Sequence, residues 1–318
     1  MNTTQNTLIT IVGPTAIGKT ALSIQLANTF NASIISCDSR QFFKEMTIGT
    51  AVPEPLELAA AKHYFIQNRS VFEAYNVGEF ERDALEKLEE LFKENPIQIM
   101  VGGSGLYVDA VLKGLDYFPE VDQEIRENLA LKLKKDGIQP LQQQLKELDI
   151  ETYNTIALDN PHRVMRALEI CIGTGIPYST FKNKPKKPRN FKSIKVGLHT
   201  DREIIYNRIN QRVDTMMSSG LLEEAKQLYP YKELNALQTV GYRELFSFFD
   251  KTFTKEFAVS EIKKNTRRFA KRQLTWFKRD ENIFWFDALT SFEKIRNAIK
   301  KQIIYDIINY IYIYIYIY

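Results

Sequence analysis

The stretch G-P-T-A-I-G-K-T, Gly13 to Thr20, decides how this chain is read. It follows an apolar run, Leu8 to Val12, and leads into helical periodicity from Thr20 to Phe30. A strand that enters a glycine turn and leaves as a helix is the setting that G-x-x-x-x-G-K-[ST] requires. Gly13 and Gly18 allow the backbone to turn so that loop N–H groups converge on an anion, and the helix beginning near Gly18 adds its positive dipole end. Lys19 supplies a point charge, and the Thr20 hydroxyl can reach Mg²⁺. The phosphate-binding set is therefore Gly13, Pro14, Thr15, Ala16, Ile17, Gly18, Lys19 and Thr20. A P-loop specifies phosphate, not a nucleotide. An ATP-binding NTPase would add a strand ending in a Mg²⁺-holding Asp, whereas the strand Ile97–Val101 runs into Gly102-Gly103. The carboxylate at a strand end is Asp38, in C-D-S-R-Q. Local sequence suits it equally to capping a turn and to chemistry.

Working outward, Ser33 to Cys37 reads as a second strand, Val77 to Asn95 as an amphipathic helix stopped by Pro96, and Ile97 to Val101 as a third strand. Alternating strands and helices predict an α/β fold, a P-loop NTPase-like parallel sheet core. Ligands of such sheets bind at the carboxyl ends of the strands. The P-loop, Asp38 and the Gly102–Gly105 turn all fall there, so three loops remote in sequence are expected to line one crevice. Between Pro119 and about Asn190 strand signals vanish. Helical segments follow at 122–135, 138–148 and 160–172, then a Pro/Lys-rich linker at 182–190. Strand signal returns at Ser193–His199 and Ile283–Phe286, with helices at 201–218, 220–228, 254–279 and 291–308. The expected division is a core of 1–118 with 191–308, a mainly helical insertion of 119–190, and a tail of 309–318.

Of 318 residues, 44% are hydrophobic and 26% charged, which is globular composition with material for a core. Net charge is only +4, so clustering matters more than the balance. Residues 182–195 hold seven Lys/Arg and no acid, and residues 262–279 hold eight and no acid. In the second cluster Lys264, Arg268, Lys271, Arg272 and Arg279 recur at helical spacing, while Ile262, Phe269, Leu274 and Phe277 can face a core. A basic stripe on an anchored helix suits phosphate contacts with a nucleic acid. Two cysteines, Cys37 and Cys171, make neither a disulfide framework nor a metal site and read as packing residues of a cytosolic protein. The start M-N-T-T-Q-N-T lacks the features of a signal peptide, and no run of about 18 uncharged apolar residues predicts a membrane span. The Ile-Tyr alternation from Tyr310 to Tyr318 is low complexity, as an alternating AT tract in the coding DNA would produce, and is expected to follow the last helix.

Taken in order, the motifs resemble one family, the tRNA dimethylallyltransferases. They are G-P-T-A-I-G-K-T at 13–20, D-S-R-Q at 38–41, I-G-T-A at 48–51 and G-G-S-G-L-Y at 102–107. Further on come D-N-P-H-R-V-M-R-A-L-E at 159–169, V-G-Y-R-E at 240–244 and T-R-R-F-A-K-R-Q-L-T-W-F at 266–277. The resemblance runs from about residue 8 to residue 286 and is specific as a set. Departures are Ile17 for a usual Ser, Val52 for Lys, Phe43 for Tyr and Ser104 for Thr. The absent lysine at 52 weakens one electrostatic contact but none of the central roles.

The resemblance implies transfer of a dimethylallyl group from its diphosphate to N6 of adenosine 37 in tRNA, with Mg²⁺ as cofactor, by a cytoplasmic monomer without a membrane. It assigns catalysis to Asp38, Lys19 and Thr20, with Thr20 on the metal. By motif, the tRNA contacts would be Asp38, Ser39, Arg40, Gln41, Ser104, Arg126, His162, Arg163, Val164, Met165 and Arg166, then Gln238, Thr239, Val240, Gly241, Tyr242 and Arg243. His162, Arg163 and Arg166 stand at helical spacings of three and four and can share a face. Two other classes compete: a P-loop kinase for a small molecule, which would bind ATP, and a non-enzymatic RNA-binding module indifferent to Lys19 and Asp38.

Overall fold

Strand β1, Thr7–Val12, carries the apolar run ahead of the P-loop, and every one of its residues is buried. Such a run fits a parallel strand covered on both faces. The computed structural model describes residues 5–317. The chain continues through α1 (Lys19–Phe30), β2 (Ile34–Ser36), α2 (Pro55–Ala60), β3 (His63–Tyr64), α3 (Val77–Glu94), β4 (Ile97–Gly102) and α4 (Gly105–Lys113). A helical stretch follows: α5 (Gln123–Asp136), α6 (Gln139–Leu148), α7 (Ile150–Thr155) and α8 (Pro161–Thr174). The remainder is β5 (Lys192–His199), α9 (Arg202–Ser218), α10 (Leu221–Leu228), α11 (Tyr242–Phe249), α12 (Lys255–Phe277), β6 (Ile283–Asp287) and α13 (Phe292–Ile317).

The six strands form one parallel sheet in the order β3-β2-β4-β1-β5-β6. Register places the site. Val12 stands beside Gly102 of β4 and Gly197 of β5, and Ser36 beside Val101. The carboxyl ends of β1, β2 and β4 are therefore level, and the P-loop, Asp38 and Gly103 leave the sheet side by side. Side chains alternate across it, as strand geometry dictates. Leu8, Val12 and Ile35 join one apolar cluster, and Ile9, Ile11 and Ile34 the other. Helix α3 shows how local sequence fixes an element. The Asn76 side chain accepts from the N–H groups of Gly78 and Glu79, and Glu79 accepts in return from the Asn76 N–H. That reciprocal cap starts the helix.

The chain divides into two compact units, Met1–Lys113 with Arg189–Tyr318, and Gly114–Pro188. The first holds the whole sheet. The second packs α5, α6 and α8 around Leu129, Leu141, Leu145, Val164 and Leu168. Within it, buried Asp149 caps α7 by accepting from the N–H and hydroxyl of Thr152, at 2.9 and 2.7 Å, and from those of Ser179, at 2.7 and 3.0 Å.

The C-terminal expectation changes. Helix α13 does not end at 308 but runs to Ile317, so the Ile-Tyr alternation continues a helix. A helix closes its hydrogen bonds within itself, whereas an alternating strand needs a partner edge. Tyr318 lies outside the described residues. Among those residues no helix is long and apolar enough to cross a membrane.

Candidate functional site

Gly13 opens the P-loop at φ 147°, and a Cβ there would lie 2.7 Å from the Leu198 carbonyl oxygen. Only glycine fits that close approach. Gly18, at φ 105°, turns the chain into α1. Lys19 reaches back over the loop, its ammonium donating to the carbonyls of Gly13 and Pro14 at 3.1 and 2.8 Å. Burial pushes its pKa down to about 8, the Asp38 carboxylate pulls it up, and the Arg212 guanidinium pushes it down again. The lysine is thus a poised cation rather than a permanent one. Anion binding at the loop should follow that charge. The ammonium is present below about 8 and is lost as pH rises through it. Affinity for inorganic diphosphate, measured by calorimetry from roughly pH 7 to 9.5, should fall across the upper half of the range more steeply than it does in a Lys19→Ala variant, which shares the ligand's own titration.

Asp38 stands two residues beyond β2. Its Oδ1 accepts from the Arg40 N–H at 3.1 Å, and its carbonyl accepts from the Gln41 N–H at 3.1 Å, so it does cap a turn. Among the described residues Oδ2 accepts no hydrogen bond, which leaves that oxygen for a ligand. Beside the turn, the Ser39 N–H donates to Ser104 Oγ at 3.1 Å, and the two hydroxyls lie 3.1 Å apart. The thiol of Cys37 is buried and raised by that burial, as befits a packing residue.

Two cavities in the sheet unit meet at Asp38. One, of about 770 Å³, is lined by Gly18, Lys19 and Thr20 of the P-loop. The other, of about 540 Å³, is lined by Ser39, Ser104, Tyr107, Val240 and Arg243. Thr15, Asp38, Arg212, Met216, Phe269 and Gln273 line both. Phe269, expected in the core, is 38% exposed and faces this junction instead.

Two of these residues carry no motif signal of their own role. Arg212 comes from α9, with Nη1 3.5 Å from Thr15 Oγ1. Burial pushes its pKa down and the Asp38 carboxylate holds it up, so the fold gathers charge at this point. Gln273 lies inside the basic α12 motif but is itself neutral and buried. It accepts from the Thr15 N–H at 2.9 Å and donates to the Gly103 carbonyl at 3.0 Å, clamping the P-loop to the end of β4.

The residues assigned to tRNA by motif divide. Arg40, Gln238, Thr239, Val240, Gly241 and Arg243 line the 540 Å³ cavity. Arg40 also donates to the carbonyls of Asn235 and Ala236, at 3.1 and 3.0 Å, and so holds that loop. Gln41 donates to the carbonyls of Thr50 and Ala51, at 3.2 and 2.9 Å, and lines the P-loop cavity instead. Tyr242 is corrected outright: it is fully buried, its hydroxyl donating to Glu224 Oε1 at 2.6 Å, so it cannot touch RNA. In the helical unit Val164 is corrected for the same reason, since it is a core residue. Met165 also packs toward that core, whereas His162 and Arg163 are exposed. Arg126 and Arg166 flank Glu169, at 3.9 and 3.3 Å.

The family model described as IPP transferase matches residues 41–280. A tRNA dimethylallyltransferase of Flavobacterium psychrophilum is 63% identical over 300 residues, covering 92% of this chain and 98% of that protein. The chain belongs to the IPP transferase family. A second member, the tRNA dimethylallyltransferase of Christiangramia forsetii, is 60% identical over 298 residues, with 94% and 99% of the two chains covered. The crystal structure of the tRNA isopentenylpyrophosphate transferase from Bacillus halodurans superposes with a TM-score of 0.70 at 35% identity, covering 96% of this chain and 98% of that one. A eukaryotic dimethylallyltransferase acting on tRNA gives 0.73 at 27% identity, over 89% and 74%. For an IPP transferase, the layout of two joined cavities has a direct chemical meaning.

Proposed function

We propose that this enzyme transfers a dimethylallyl group from dimethylallyl diphosphate to N6 of adenosine 37 in tRNA, releasing diphosphate. The observation that carries the reading is the junction: a phosphate cradle opens on one side of Asp38 and a separate chamber on the other. A transfer enzyme with two dissimilar substrates needs two such compartments sharing one reactive point. The similarity to proteins named tRNA dimethylallyltransferase supports a dimethylallyl donor on one side and a tRNA acceptor on the other.

In this reading the diphosphate lies on the P-loop. The C1–O bond of the donor breaks as the N6–C1 bond forms, and negative charge develops on the departing diphosphate. Loop N–H groups, Lys19 and Arg212 stabilise that charge from a fixed frame. Asp38 accepts the proton that N6 gives up, and beforehand it orients the amine. The adenine must leave its stack to arrive there, with Ser104, Thr239 and Arg243 around it. Arg126, His162, Arg163 and Arg166 are assigned to the flanking RNA. Among the described residues no group of three His, Cys, Asp or Glu side chains could hold a metal alone. The Thr20 hydroxyl would hold Mg²⁺, which when bound would neutralise charge on the departing diphosphate. We place the reaction in the cytosol with its tRNA.

Titration separates this from a small-molecule kinase. Dimethylallyl diphosphate should bind and be displaced by inorganic diphosphate. ATP binding tighter than the donor, with no prenyl group reaching tRNA, would overturn the transferase reading.

Helix α12 is assigned to the tRNA backbone. Arg268 and Arg272 are exposed, and Lys264 pairs with Glu261 on the same helix. Replacing Lys264, Arg268 and Arg272 with Ala should weaken tRNA binding. It should also flatten the slope of log affinity against log salt by roughly one for each phosphate no longer neutralised. An unchanged slope would remove this helix from the RNA surface.

A further inference from the structure

The motif I-G-T-A and the buried Tyr242 of V-G-Y-R-E remain without a role. Both converge on Glu224 of α10. Its Oε2 accepts from the N–H groups of Thr47 and Ile48, at 3.0 and 2.7 Å. Its Oε1 accepts from the Gly49 N–H at 2.9 Å and from the Tyr242 hydroxyl at 2.6 Å. Four donors on one carboxylate exceed what a helix-surface glutamate ordinarily collects, and three of them come from successive backbone groups of one loop. A charged acceptor holds such donors more strongly than a neutral one. Gly49 is required for the same packing. A Cβ there would fall 2.6 Å from the Tyr242 ring.

The loop so held is a wall of the reaction chamber. Thr50 and Ala51 line both cavities. The wall is tied from its other end to the Asp38 turn. Gln41 donates to the Thr50 and Ala51 carbonyls, and the Gln41 N–H donates to the Asp38 carbonyl. A continuous path thus runs from Glu224 through residues 47–51 and Gln41 to Asp38. We infer that Glu224 is a positioning residue: it fixes the 47–51 wall between the two substrates and, through Gln41, the turn that aims the Asp38 carboxylate. The inference rests on the transferase reading and adds to it a residue that touches neither substrate.

A displacement on the order of 1 Å at a reacting group, caused from a distance, can lower a rate about 100-fold. Glu224→Gln keeps size and one acceptor oxygen but sets an NH₂ against the loop amides. It should lower the single-turnover transfer rate by about 10- to 100-fold, while tRNA affinity and inorganic diphosphate affinity stay within about twofold. A glutamate that only stabilised the fold would lower melting temperature and leave the rate of the folded fraction unchanged. Tyr242→Phe removes one of the four donors and should slow transfer by a few fold alone, yet add nothing on top of Glu224→Gln, because both act through one carboxylate. If Glu224→Gln does not fold, Gly49→Ala presses the same wall against Tyr242 and should reproduce the loss of rate with both affinities retained. Near wild-type single-turnover rates in Glu224→Gln, or in Gly49→Ala where that variant substitutes, would overturn the inference alone. A wild type that transfers nothing would overturn the transferase reading and the inference with it.

Discussion

Asp38→Asn should keep its affinity for tRNA and donor yet lose turnover by roughly 10²–10⁴-fold, the usual worth of a positioned general base. The structure sharpens the reason. Asp38 has two separable tasks. Oδ1 caps the turn by accepting from the Arg40 N–H. Asparagine performs that task about as well as aspartate, so the turn, the Ser39–Ser104 contact and the cavity should survive. Asparagine has almost no basicity, so the proton of N6 would have nowhere to go. A residue that served only the turn would tolerate the change. Transfer by the Asn variant near the wild-type rate would therefore remove Asp38 from the chemistry. Chemical quench of a single turnover, with tRNA affinity measured in parallel, distinguishes the two.

The second large effect is expected at Lys19. Lys19→Ala removes the ammonium that lies over the P-loop carbonyls of Gly13 and Pro14. It should lower turnover about 10²–10³-fold, as loss of one preorganised charge donor does where negative charge develops, and weaken diphosphate binding. Affinity for tRNA should change little, because Lys19 lines the other cavity. Arg212 remains to hold part of the charge, so the variant should be impaired rather than inert. Collapse of tRNA binding with donor binding intact would show that the two compartments have been assigned the wrong way round. The lysine is also burdened by burial, which places its pKa near 8. Its replacement should therefore not destabilise the fold near neutral pH: a lowered lysine pKa opposes folding wherever the unfolded chain holds the proton more tightly.

The parts of this site that sequence displays are those whose signal is local. A P-loop is defined by glycines a few residues apart, and Asp38 follows its strand within two residues, so both can be placed without any tertiary contact. The level strand ends that bring them together follow from the parallel sheet. Arg212 and Gln273 are hidden for the opposite reason. Each joins the site by the docking of a long helix, α9 or α12, against the distant P-loop, as the Thr15 contacts show. In α12 the conspicuous residues are the cations, while the one that reaches the P-loop is a neutral glutamine. Phe269 reads as core because an aromatic on an amphipathic helix ordinarily packs inward, and here a cavity takes the place of core. Tyr242 and Val164 enter the expected RNA surface only as members of their motifs, although a motif in a helix necessarily includes inward-facing positions. Short elements such as β3 and α11 offer too few residues for periodicity to declare them. The helical course of 309–317 runs against a strand-like alternation.

The central claim, that a five-carbon group crosses the junction at Asp38 onto an adenine amine, is tested most directly by mass spectrometry of adenosine 37. Unmodified tRNA would be incubated with the wild-type protein, Mg²⁺ and dimethylallyl diphosphate, then digested to nucleosides. A single dimethylallyl group is expected on N6 of that adenosine, dependent on the donor and absent with Asp38→Asn over the same interval. Unmodified adenosine 37 after prolonged incubation with enzyme, donor and metal would contradict it.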